Sequence, residues 1–197
     1  MESFKQTEKK KEAEAPKKKF IHLLSEDEVE VKRLTMEDVE ECVKVMRKCA
    51  FDVTEAEVGN IIKYGKSFGA TVNRMVVGVG LSWPAYLDIR DMKITNNQPN
   101  SLYVEDPAVL LAYEGRGVRR ILLKEREKEA QYSQYDYVMS YLYEDIPKEN
   151  ISDYIIEAGN QLEKLYLSES YEFARTEKGI MAYKRLGKVD PNIAKKE

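Results

Sequence analysis

The sequence has little of the residue types that hold small or metal-bound domains together. Its 197 residues include only two cysteines and one histidine, too few for a disulfide framework or a zinc ribbon. No apolar run approaches the roughly 20 residues that a membrane-spanning helix needs. The first residues also lack the apolar segment of a secretory signal peptide. These absences lead us to expect a cytoplasmic protein with neither a membrane segment nor a metal site.

Charge is plentiful but unevenly distributed. Charged residues make up 34% of the chain and sum to a net charge of -3. Residues 1–19 contain seven lysines against four glutamates and almost no apolar side chains, so we predict a disordered charged tail there. Residues 188–197 are predicted to form a second charged tail. Residues 20–187 are long enough to bury one hydrophobic core as a single domain.

Apolar periodicity predicts an α+β domain built around a mixed sheet. Predicted strands cover Val29–Leu34, Ala70–Asn73, Met75–Leu81, Leu102–Tyr113, Tyr135–Tyr143, Tyr171–Arg175 and Ile180–Leu186. Predicted helices cover Met36–Ala50, Thr54–Ser67, Val118–Ala130 and Ser152–Ser168.

Glycine and proline positions add detail to the predicted strands. Gly78 and Gly80 share one face of a strand, so a bulky group is expected to approach closely there. Trp83-Pro84 is expected to end the regular pairing of that strand, because proline lacks the N–H donor. Pro107, inside the predicted central strand, requires a bulge or a splayed neighbour.

A glycine-rich turn opens the third predicted helix. In AVLLAYEGRGVRRILL (Ala108–Leu123), Gly115 and Gly117 let the backbone approach a ligand closely. The start of the helix offers unpaired N–H groups that bind anions, and Arg116, Arg119 and Arg120 add positive charge. The pattern fits a pyrophosphate site, although two glycines before a helix also serve as ordinary turn residues.

The order of elements from Val29 to Leu186 resembles the GNAT superfamily of N-acetyltransferases. VNRMVVGVG (Val72–Gly80) resembles the family's hairpin into its third strand, and VLLAYEGRGVRRILL (Val109–Leu123) its cofactor segment. LYLSESYEFARTEKGIMAYKRL (Leu165–Leu186) resembles the closing helix and hairpin. The resemblance implies a mixed, mostly antiparallel central sheet with helices on both faces and splayed fourth and fifth strands. It also implies transfer of an acetyl group from acetyl-CoA to a primary amine by direct attack.

The same resemblance implies roles for particular residues. Tyr166 would donate a proton to the CoA sulfur, and Glu105 would act as the general base. The two carboxylates Glu105 and Asp106 are expected to face opposite sides of the strand, and Glu105 is preferred because it shares its side with Tyr103 and Val109. Backbone N–H groups would bind the acetyl oxygen and the pantetheine at Ala108, Val109 and Leu110. The pyrophosphate would lie against Glu114, Gly115, Arg116, Gly117, Val118, Arg119 and Arg120.

The cofactor loop departs from the family's Arg/Gln-x-x-Gly-x-Gly/Ala pattern. Only Gly117 fits it, since Glu114 replaces the Arg/Gln and Arg119 replaces the small last residue. Glu114 would repel a diphosphate unless it turns away or pairs with an arginine. Arg119 would either crowd the phosphates or bind them.

Two alternatives to an enzyme stay open. One is a catalytically degenerate GNAT-like domain that binds CoA or a protein. The other is a nucleic-acid-binding protein that uses the basic tail and stacks bases on a tyrosine face, although an acidic domain body opposes it. The tyrosines of that face are Tyr135, Tyr137, Tyr141 and Tyr143.

The acceptor is expected to be an amine-bearing small molecule or protein. It would bind against Phe51–Lys66 and Asp88–Asn100, and a homodimer is left open.

Overall fold

The computed structural model describes residues 29–142, 147 and 150–187. The predicted tails at 1–19 and 188–197, and Tyr143 of the predicted tyrosine face, lie outside the described residues. Strands are β1 Glu30–Arg33, β2 Phe68–Val72, β3 Met75–Gly80, β4 Ser82–Asp88, β5 Lys93–Thr95, β6 Ser101–Val104, β7 Ala108–Val109, β8 Tyr137–Tyr141, β9 Glu172–Thr176 and β10 Gly179–Arg185. Helices are α1 Val39–Lys48, α2 Glu55–Tyr64, α3 Val118–Tyr132, α4 Ile151–Ala158 and α5 Gln161–Ser168.

The strands form two sheets that share two long segments of chain. Their orders are β1-β2-β3-β7 and β5-β4-β6-β8-β10-β9, with β3 leading directly into β4 and β6 leading into β7. Among the described strands, β6 and β8 form a parallel pair and the other pairs are antiparallel. The predicted mixed, mostly antiparallel α+β arrangement is confirmed.

The parallel pair diverges after three residue pairs. The last of these is Tyr103 with Met139. Beyond this pair, the segment that follows β6 continues into β7, which pairs with β3. Strand β8 instead continues along β10. The predicted splay between the fourth and fifth strands is therefore confirmed, and it leaves a cleft between them.

Helices cover both faces of the first sheet, as predicted. Helices α1 and α2 pack on Val76, Val79 and Leu81 of the β3 segment. On the other face, a Cβ added at Gly78 would lie 2.9 Å from Val118 Cγ1. One added at Gly80 would lie 3.1 Å from Arg126 Nε. The bulky groups expected at the two glycines are therefore side chains of α3.

The prediction that Trp83-Pro84 ends strand pairing is wrong, because β4 runs through Pro84. The Glu105 N–H donates to the Leu81 carbonyl. In an antiparallel pair, every second residue directs its N–H and C=O toward the neighbouring strand. Counting from the bond at Leu81, Pro84 is one of the residues whose nitrogen points away from β6. On that outer edge β5 pairs only from Tyr86 onward. No ladder bond is therefore lost at the proline.

Two predicted elements are each divided. The predicted strand Leu102–Tyr113 is split into β6, β7 and a 3-10 turn. The predicted helix Ser152–Ser168 is split into α4 and α5 at Gly159-Asn160. The Asn160 side chain accepts from the Glu163 N–H, and the Glu163 carboxylate accepts from the Asn160 N–H at 2.7 Å. This capping box starts a new helix.

Candidate functional site

The turn before α3 presents unpaired backbone donors. Gly115 and Gly117 have φ values of +71° and +86°, and a Cβ at either would meet nothing within 4 Å. Glycine is therefore favoured there by conformation, and the space in front of the turn is open. Gly117 caps the helix, and the amides of the three residues after it find no acceptor among the described residues. Such a helix start is suited to an anion.

These residues line a groove of about 380 Å³, which we call the loop groove. Its other wall is one face of α5, at the helical spacing of Gln161, Lys164, Leu165 and Ser168. The sequence interpretation missed this wall, although the i, i+3, i+4, i+7 spacing was visible. Its other lining residues are Tyr113, Glu114, Gly115, Gly117, Val118, Arg119 and Arg120.

Glu114 and Arg119, the two residues that depart from the family's cofactor-loop pattern, form an ion pair. The Arg119 Nη2 and Nε donate to the two Glu114 oxygens at 2.7 and 3.2 Å. The Arg119 Nη1 donates to Asp106 Oδ1 at 2.7 Å. The two departures from the family pattern thus pair with each other, so Arg119 is not a free cation in the groove.

The other cations in and beside the groove differ in their pairing. Arg120 pairs with Glu169 at 2.8 Å. Arg116 lies over the Tyr113 ring at 5.6 Å, and neither Arg116 nor Lys164 has a carboxylate partner among the described residues. Of the three arginines expected to attract an anion, only Arg116 keeps an unpaired charge, and its side chain does not line the groove. Lys164 is the unpaired cation among the lining residues.

A second cavity of about 510 Å³ lies between the diverging strands, and we call it the strand cleft. It shares Arg119 and Gln161 with the loop groove. Glu105 and Asp106 both line it, so the expectation that they face opposite sides is wrong. The chain between β6 and β7 is not a regular strand, and the alternation of side chains is lost there.

The two carboxylates of the strand cleft differ in their partners. Burial raises the pKa of Asp106, and the guanidinium of Arg119 opposes that rise. Glu105 has no ion pair among the described residues. Its pKa is raised by burial and by the charge of Asp106, against a lowering by Arg126. Glu105 is therefore the carboxylate better suited to accept a proton.

The predicted donors on β7 are not equivalent. The Leu110 N–H already donates to the Val77 carbonyl at 2.9 Å. By the alternation of antiparallel pairs, the N–H and C=O of Val109 point to the opposite, open edge. There the Cys49 thiol donates to the Val109 carbonyl at 3.2 Å. The open edge at Val109 leaves a backbone donor for a ligand.

Several solved structures share this architecture. The GNAT domain of PAT from S. lividans superposes with a TM-score of 0.60 at 15% identity, covering 80% of this chain and 90% of that one. NAA60 of Arabidopsis thaliana, solved with a bisubstrate analogue, gives 0.60 at 13%, covering 82% and 99%. This is the GNAT fold. PaiA N-acetyltransferase from Thermoplasma acidophilum, solved with coenzyme A, gives 0.57 at 14%, covering 80% and 99%. No protein-family model and no curated protein sequence matches the chain.

Tyr166 lies in the core of the GNAT fold and lines neither the loop groove nor the strand cleft. Its side chain is 0% exposed and packs edge-on against the Tyr171 ring at 4.7 Å. Its hydroxyl is near Ser140 but forms no hydrogen bond of ordinary geometry with a described residue. Burial raises the pKa of Tyr166. Tyr166 does not line the strand cleft, although it lies close enough to Glu105 for the two groups to interact electrostatically, and proton donation by Tyr166 stays a prediction.

Only part of the predicted acceptor wall borders the strand cleft. Phe51 does so. Asp91–Ile94 line another cavity of about 460 Å³, together with the hairpin residues Arg175–Lys178. Tyr141 borders both cavities. This tyrosine also packs against Tyr103, with ring centroids 6.3 Å apart, so it belongs to the core and is a poor platform for stacking bases.

No helix in ranges 29–142 and 150–187 is long and apolar enough to cross a bilayer. In the same ranges, no cluster of histidine, cysteine, aspartate or glutamate side chains has the grouping of a metal site.

Proposed function

We propose that the chain is an N-acetyltransferase that moves an acetyl group from acetyl-CoA to a primary amine by direct attack. One observation carries the proposal. The loop groove has unpaired amides at the helix start and an unpaired lysine, Lys164, in its lining, and it adjoins a strand cleft that contains an unpaired carboxylate. A long anionic thioester requires this combination of a phosphate site beside a site for proton transfer.

The residues of the loop groove fit the phosphates of acetyl-CoA. The amides after Gly117 would meet the pyrophosphate, and Arg116 and Lys164 would offset its charge. The open edge of Val109 would bind an amide of the pantetheine arm, in the manner of an added strand. Acetyl-CoA supplies the activated acetyl group when it is bound. Structural neighbours solved with coenzyme A or with a bisubstrate analogue support this assignment.

Glu105 would prepare the amine. A lysine-like amine has a pKa near roughly 10.4, so it must lose a proton before it attacks a thioester. Burial and Asp106 raise the pKa of Glu105 towards the range of an effective base. Proton donation by Tyr166 to the CoA sulfur is a separate proposal, since Tyr166 lines neither the loop groove nor the strand cleft.

The acceptor class follows from the charge of the strand cleft. Asp106 is offset by Arg119 in the same lining, so Glu105 places the uncompensated negative charge where the amine would approach, and this favours a cationic acceptor. A primary amine on a small molecule or a protein satisfies the requirement.

Acetyl-CoA binding to a Gly117→Asp variant tests the proposal. A carboxylate there would project into the open space in front of the helix start, and the left-handed φ disfavours any side chain. Wild-type protein should gain about 2.7 kcal/mol of stability at acetyl-CoA concentrations 100 times the Kd, read as a rise in Tm. Gly117→Asp should show no such rise.

Gly187→Asp is the matched control. A Cβ at Gly187 also meets open space, and this glycine lies outside the lining of the loop groove. It should keep the full Tm rise. A wild-type protein whose Tm is unmoved by millimolar acetyl-CoA would contradict the proposal and favour the degenerate alternative.

A further inference from the structure

A buried arginine lies at the junction of the two sheets. Arg126 of α3 is the largest fully buried side chain in the described ranges, at 0% exposure. No carboxylate among the described residues pairs with it. Burying an unpaired guanidinium is costly, and burial lowers the pKa of Arg126 accordingly. Hydrophobic packing alone would be served better by an apolar side chain.

The guanidinium binds the backbone of a bulge. Its Nη1 donates to the Glu105 carbonyl at 2.8 Å and to the Leu81 carbonyl at 3.1 Å. Two residues of the β3–β4 segment, 80–81, lie opposite three residues of the β6–β7 segment, 105–107, between the flanking pairs. This is a bulge with one extra residue. Its third residue, Pro107, has no N–H to offer.

The opposite strand leaves space for the arginine. An added Cβ at Gly80 would lie 3.1 Å from Arg126 Nε and 3.2 Å from its Cζ. The Nε donates to the Leu122 carbonyl of its own helix at 3.1 Å, which fixes the direction of the side chain. The missing side chain at Gly80 and the long side chain at Arg126 are therefore complementary.

The bulge determines the geometry of the strand cleft. It orients the carboxylate of Glu105 toward the cleft, and it sets where β7 begins, with its open edge at Val109. Three titratable groups interact electrostatically with the Glu105 carboxylate: Asp106 beside it, Arg126 from α3 and Tyr166 from α5. Arg126 is the cation among them.

We propose that Arg126 is a positioning residue, which holds the bulge at Glu105–Pro107 from inside the core and so fixes the Glu105 carboxylate in the strand cleft and the Val109 edge in the neighbouring cavity, which shares Arg119 with the cleft. The inference rests on the proposed function, since the cleft must receive the acetyl group for this position to matter.

Arg126→Met tests the inference, because methionine fills similar space and donates no hydrogen bond. Hydrogen exchange at the amides of Glu105 and Leu110 should become at least about tenfold faster, since a bulge without its central partner opens more often. The pKa of Glu105, followed by carboxylate NMR, should rise. Acetyl-CoA affinity, measured by calorimetry, should fall about tenfold. Arg126→Lys should restore part of the Glu105 pKa but not the exchange protection, because an ammonium lacks the planar fork of guanidinium donors.

Ile155→Val, in the separate core beneath α4, is the control and should leave all three readings unchanged. Wild-type exchange and a wild-type Glu105 pKa in Arg126→Met would overturn the inference. Should that variant not fold, Gly80→Ala keeps the arginine but displaces it. It should shift exchange and pKa in the same directions, and unchanged values would again overturn the inference. Absence of acetyl-CoA binding to wild-type protein would overturn the proposed function, while exchange and titration would still decide whether Arg126 holds the bulge.

Discussion

Ion pairing decides, residue by residue, which charges at the loop groove can meet an anion. Arg119 is bound by Glu114 and Asp106, whereas Arg116 and Lys164 remain unpaired among the described residues. A chain segment that contains several arginines can therefore carry little free positive charge. In this protein the effective positive charge comes from two elements that are distant in sequence.

Glu105 is expected to lower the stability of the folded protein at neutral pH. Its pKa is raised in the folded state, so keeping it ionised costs free energy above that pKa. Glu105→Gln should therefore raise the free energy of unfolding at pH 7. The gain should vanish as the pH falls through the raised pKa and the wild-type carboxyl becomes protonated. Urea unfolding at pH 7 and pH 4 measures this difference.

Glu40→Gln is the control of opposite sign. The pKa of Glu40 is lowered by its hydrogen bond to Lys44, so its ionised form is favoured in the folded state. This variant should lose stability at pH 7 and none at low pH.

If Glu105 is the base, Glu105→Gln should also lower the transfer rate by about a hundredfold or more. A Glu105→Gln protein less stable than wild type at pH 7 would show that burial does not penalise this carboxylate.

At the scale of elements, local signals were predictable from the sequence and tertiary ones were not. The glycine turn and most of the strands follow from short-range patterns, but β4 and β5 were not predicted and the predicted strand Leu102–Tyr113 is divided. The helix break at Gly159-Asn160 had a local signal, since Glu163 follows Asn160 at capping-box spacing. The Arg119–Asp106 pair and the burial of Arg126 had none, because they depend on how α3 lies across the sheet.

The turn after α5 contains a strained residue. Ser170 has a φ of +63°, in the left-handed region that favours glycine. Ser170→Gly should raise the free energy of unfolding by about 0.5–1 kcal/mol, which is the relief of strain less the added backbone entropy of glycine. Urea unfolding would measure it. Ser133→Gly, at the end of α3 where φ is -76°, should give no gain, and an equal gain there would contradict the assignment to backbone strain.

At the scale of the whole molecule, α3 joins the two sheets into one core. Val118 and Leu122 pack against the first sheet, and Leu123 and Ala130 pack against the second. Arg126 lies between these contacts and binds backbone from both halves of the bulge. Residues that alternate along one helix thus bury their apolar surface in two cores at once. If α3 detached from one sheet, its residues in the core of the other sheet would also become exposed.

This arrangement predicts a single cooperative unfolding transition. The chain has one tryptophan, Trp83 in β4, stacked on Tyr103 with centroids 4.5 Å apart. Its fluorescence therefore reports the second sheet, whereas circular dichroism at 222 nm reports all helices, including α1 and α2 on the first. The two probes should give the same urea midpoint and the same m value, because α3 couples the halves. Leu122→Ala, which opens a cavity only on the side of the first sheet, should lower both midpoints equally and cost about 2–5 kcal/mol. A fluorescence midpoint that stays at the wild-type value in this variant would mean that the second sheet unfolds on its own.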